Sequence, residues 1–100
     1  MNKVLILYPE LNRKFEPGED RIVILTELPQ EEGERETLLA VMIDQEERPE
    51  QFVCYAHLGQ HSVAHVGYLR DHCKAPEPKH AAQVEALKAE LKEIGYAIAN

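Results

Sequence analysis

The chain is short of cations, cysteines and long apolar runs, and each shortage closes off a class of function. Its 100 residues hold eleven Lys and Arg against eighteen Asp and Glu, a formal net charge of −7 with histidine neutral. A nucleic-acid binder of the usual kind neutralises phosphates with a cationic face, so direct nucleic-acid binding is not expected. The same shortage argues against a polybasic membrane-surface protein. The only cysteines, Cys54 and Cys73, are too few for a disulfide framework and are expected to be reduced thiols. No stretch approaches the roughly 18 consecutive apolar residues that a membrane span needs. The apolar run Val4-Leu5-Ile6-Leu7 behind Lys3 is too short for a signal peptide and meets Pro9-Glu10 where a small-residue cleavage site belongs. A cytoplasmic location is the resulting expectation.

Catalytic signatures are missing as well. There is no G-x-G-x-x-G, Walker loop, G-x-S-x-G or calcium-loop pattern, so the chain reads as a non-enzyme that needs no cofactor. What is present is 44% apolar residues, enough for a packed core in one small domain spanning 1–100. The charge is also unevenly placed. Residues 1–50 carry thirteen carboxylates and six cations, whereas residues 51–100 carry five of each and all five histidines.

Four short apolar runs read as strands: Lys3–Tyr8, Arg21–Leu28, Thr37–Asp44 and Gln51–Leu58. Pro17-Gly18, Gly33 and Pro49 supply turn chemistry between them, and connections this short favour antiparallel neighbours. The second and third runs form the best hairpin. Their near-continuous hydrophobicity suggests strands covered on both faces, or helix in place of strand. From His80 the period changes: Val84, Leu87, Leu91 and Ile94 share one helical face, and Gly95 suits the position just past the helix end. Residues 60–75 read two ways: a short helical segment near 62–73 with Ser62 as cap is favoured, a strand through His61–Leu69 is the alternative, and 96–98 is a candidate short fifth strand. The fold class is therefore α+β, a mainly antiparallel sheet of about four strands in residues 1–58 packed on a C-terminal amphipathic helix. Val84, Leu87, Leu91 and Ile94 should face the sheet.

Candidates for specific recognition gather in the second half. Gly59, Gln60, His61 and Ser62 form a polar segment after the fourth run, suited to a binding loop whose partner is another protein or a second copy. On a helix, His61, His65 and His72 would share a face, and His61-x3-His65 is a spacing that offers two imidazoles to one zinc. Cys54 and His57 would then be further ligands, a zinc-binding alternative to the binding-module reading. Each cysteine also has histidine neighbours, the pairing a nucleophilic thiolate requires, although both occupy core-like positions. The acidic first half admits one more alternative, an acidic nucleic-acid mimic that inhibits a basic partner by electrostatic steering. The run Tyr55-Ala56-His57 through Gly59-Gln60-His61-Ser62, with a helix ending Glu90-Leu91 and Ile94-Gly95-Tyr96, loosely resembles small bacterial or prophage-borne proteins. That resemblance implies no particular activity.

Overall fold

The structure is a computed structural model that describes residues 2–56 and 59–99. Five strands form one sheet: β1 (Ile22–Glu27), β2 (Thr37–Arg48), β3 (Gln51–Ala56), β4 (Gln60–His65) and β5 (Cys73–Lys74). Their spatial order is β4-β3-β2-β1-β5, and every pairing is antiparallel. The hairpin expected between the second and third runs is β1–β2, with Ile22 opposite Met42 and Glu27 opposite Thr37. Pro49-Glu50 closes β2–β3, and Glu50 adopts the left-handed conformation (φ 65°) that this tight turn demands.

Helices cover both faces. On one side lie α1 (Lys3–Leu7) and α2 (Val66–His72), and on the other lies α3 (Ala81–Glu93). This explains the unbroken apolar runs: from Leu38 to Ile43 every residue of β2 is buried, because alternate side chains enter two different cores. Val4, Leu5, Val23, Leu25, Phe52, Cys54 and Leu69 make the first core. Leu38, Ala40, Met42, Tyr55, Leu87 and Leu91 make the second.

Four expectations are corrected. Lys3–Leu7 is helix, not strand, because Asn2 caps it: the Asn2 side-chain oxygen accepts from the Val4 amide at 2.9 Å while its amide nitrogen donates to the Ile43 carbonyl at 2.7 Å. Just past the helix, the Tyr8 hydroxyl lies 2.5 Å from the Leu69 carbonyl and 2.7 Å from that of Cys73, which ties α1 to the middle and the C-terminal end of α2. Burial pushes the Tyr8 phenol up to about 12, so this proton stays in place across the physiological range.

The segment expected to be helical from Ser62 is divided. Residues 60–65 complete a hairpin with β3, and only Val66–His72 is helical. Residues 96–98 are not a strand; the Asp20 amide donates to the Ala97 carbonyl at 2.8 Å and the Asp20 side chain accepts from the Ala97 amide at 2.7 Å, which brings the tail back beside the start of β1. On α3, Leu87 and Leu91 are fully buried and Val84 packs at the margin of the core. Ile94 does not face the sheet: it stands at the C-cap, beyond the last helical turn, 48% exposed.

Candidate functional site

The β3–β4 ribbon gathers most of the residues singled out from sequence. Gly59 sits at φ 84° and donates to the Ala56 carbonyl, turning the chain into β4. Gln60, His61 and Ser62 are therefore the first residues of an exposed strand, not a loop. His57 lies outside the described residues.

The histidines do not share a helical face. In extended chain, residues four apart are separated by about 13 Å, so His61 and His65 cannot close on one ion as they would one helical turn apart. Each has a partner of its own. His61 Nε2 lies 2.9 Å from the Tyr96 hydroxyl, and its ring meets the Tyr55 ring edge-on at 4.9 Å. His65 Nδ1 accepts the Gly67 amide at 2.9 Å, capping α2, and its Nε2 faces Glu50 at 3.5 Å. His72 lies against the Tyr68 ring in α2. Cys54 points into the opposite core from His61, because His61 pairs with Tyr55, the neighbour of Cys54 on the other face. Among the described residues, no group of three or more His, Cys, Asp or Glu is placed to hold a metal ion.

Neither cysteine is poised as a nucleophile. Both are buried and unpaired, and burial, the largest cause in each case, pushes the thiols of Cys54 and Cys73 up to about 12. The acidic half is also less uniform than its charge suggests. Glu46, Glu19 and Asp44 are bound by Lys3, Arg13 and Arg21, which offsets three of its carboxylates locally.

Two features escaped the sequence reading. The first is the free edge of β4. Glu50 accepts the Val66 amide, which fixes the ladder phase: even-numbered residues of β4 bond to β3, and His61, Val63 and His65 turn their backbone N–H and C=O groups outward. Val63 is 44% exposed between the two histidines. The second is a cavity of about 270 Å³ at the opposite side of the sheet, beside β1. Leu11, Phe15, Ile22, Ile24, Val84 and Ile98 contribute its apolar walls.

Glu19 braces that cavity. Its side chain is almost fully buried and accepts from Arg13 through both oxygens, from the Glu16 amide at 2.7 Å and from the Ala99 amide at 3.3 Å. The Arg13 guanidinium is the main reason its carboxyl is held down at about 2. A carboxyl lowered on folding contributes stability above its unfolded pKa, near 4.5, and loses it as pH falls toward 2. Melting curves from pH 6 to pH 2 should therefore show Glu19→Gln well below wild type at pH 6, with the gap closing toward pH 2. A constant gap would mean that the charge on Glu19 contributes nothing.

Comparison with protein-family models, with curated proteins and with solved structures returns no match. No helix among the described residues is long and apolar enough to cross a membrane.

Proposed function

We propose that the chain is a non-enzymatic protein-binding module whose docking surface is the open edge of β4, and that a second copy of the chain is the partner that fits it. The observation that carries this reading is the outward set His61, Val63 and His65. An edge strand is ordinarily guarded by lysine, proline, a bulge or a covering segment. β4 has no lysine or proline, and it pairs with β3 residue for residue without a bulge.

The edge is also self-complementary. An antiparallel pairing of two β4 strands about a two-fold axis at Val63 sets Val63 against Val63 and His61 against His65. Val63 then meets Val63 through both main-chain groups and the His65 amide meets the His61 carbonyl, which joins two five-stranded sheets into one. One strand edge buries modest area, so the association should depend on concentration rather than be permanent.

Light scattering coupled to gel filtration tests this between about 10 μM and 1 mM, a range that brackets a dissociation constant of about 40 μM, equivalent to about −6 kcal/mol. Wild type should shift from monomer to dimer mass. Val63→Lys, which sets two ammonium groups beside the axis, should raise the dissociation constant at least tenfold while leaving the circular dichroism spectrum unchanged. A wild-type protein that is monomeric throughout the range would overturn the reading.

A further inference from the structure

The cavity beside β1 is bounded on one side by main chain that has no partner. The Arg21 carbonyl accepts from the Ile43 amide, so odd-numbered residues of β1 turn toward β2 and even-numbered ones turn away. Each even position can be followed along that outer edge. Asp20 donates to the Ala97 carbonyl, Thr26 pairs with Lys74, and Leu28 donates to the His72 carbonyl. Ile22 and Ile24, between them, have no backbone partner among the described residues. The register of β5 explains why: two residues beyond Lys74 comes Pro76, which has no N–H to donate and ends the pairing where Ile24 would be served.

A two-residue gap in the sheet edge thus opens into a cavity whose walls are apolar on both layers. From the first layer come Leu11 and Phe15, and from the second Val84 and Ile98. The geometry points to a receptor for an extended peptide segment of another protein, which would lie along β1 as a short added strand with uncharged, apolar residues at its centre. The unmet N–H and C=O groups call for an occupant with its own alternating donors and acceptors, which a purely apolar molecule lacks. Charge supports an uncharged centre. Arg13 and Glu19 satisfy each other, Asp20 holds the Ala97 amide, and the remaining charged lining groups, Glu10 and Lys88, are opposite in sign. The site lies at the far edge of the sheet from β4 and does not rest on self-association.

Amide hydrogen exchange followed by NMR tests the inference, with the acetylated and amidated peptide Thr-Val-Val-Val-Thr as probe. In the free protein Ile22 and Ile24 should exchange faster than Val23 and Leu25, whose amides are in the ladder to β2. At about 5 mM peptide, enough to occupy about five sixths of the sites of a complex with a dissociation constant of about 1 mM, exchange at Ile22 and Ile24 should slow about sixfold. The fully N-methylated peptide and decanoate, which cannot donate main-chain hydrogen bonds, should have no such effect. Val84→Trp, which fills the cavity from α3, should abolish the slowing, while Val63→Lys at the opposite edge should leave it intact. Unchanged exchange at Ile22 and Ile24 would overturn the inference. So would equal protection by decanoate or the N-methylated peptide, or protection that appears at His61, Val63 and His65 instead.

Discussion

Ellman's reagent should leave both thiols of the native protein unmodified at pH 8 on a timescale that fully labels the unfolded chain. Raising a thiol from its ordinary value of 9.0 to about 12 cuts its thiolate population about a thousandfold, and the thiolate is the reacting species. Access compounds the effect, since Cys54 is fully buried and Cys73 is 6% exposed. Guanidinium should release two equivalents of thiol at once. Modification of either cysteine in the native state at a rate near that of free cysteine would contradict the packing of the first core. Such a result would also restore cysteine–histidine catalysis as a reading of the chain.

Leu87→Ala should be among the most destabilising single changes in the second core. Leu87 is fully inaccessible and packs with Leu91 of α3 against the sheet through Leu38, Ala40, Met42 and Tyr55. Truncating a buried leucine costs about 2–5 kcal/mol, a large fraction of the roughly 5–15 kcal/mol that holds a domain of this size together. A loss of about 3 kcal/mol corresponds to a fall in Tm of roughly 12–24 °C. Ile94→Ala, at a position with the same apparent helical phase, should move Tm only slightly, because Ile94 is already half in water at the helix cap. Equal losses at the two positions would mean that α3 extends further, and seats differently, than described.

That contrast shows what periodicity can and cannot reveal. The spacing of Val84, Leu87 and Leu91 identified α3 because a thirteen-residue helix repeats its pattern often enough to be seen. It overreached at Ile94, where the helix stops one residue earlier and Gly95 takes φ 113°. β1, β2 and β3 were legible as short apolar runs between turn residues, and the near-continuous runs of β1 and β2 suggested either strands covered on both faces or helix. Lys3–Leu7 was not legible, since five residues contain too little period to separate helix from strand. Its state is decided by contacts with Ile43, Leu69 and Cys73, far away in the chain.

The candidate site was legible as a region and not as a geometry. His61 and His65 sit at a spacing that suits a helical face, yet β4 pairs with β3 along its full length and sets them along an extended edge. Nothing local in Gln60–His65 announces that outcome. The open stretch at Ile22 and Ile24 is further from reach, because it depends on where Ala97 and Pro76 come to lie, more than fifty residues away.

The position of Tyr8 bears on the order in which the molecule can assemble. β1 to β4 are joined by successive hairpins, so each strand finds its neighbour within a short loop, the kind of contact that forms early. The layer built on α1 cannot close that way. Its hydroxyl anchor waits for carbonyls 61 and 65 residues downstream, and its cap for one 41 residues downstream. During synthesis α1 is made before its partners and is thus among the last elements to settle. It stays a short apolar stretch without its partners until the chain has been made past Cys73.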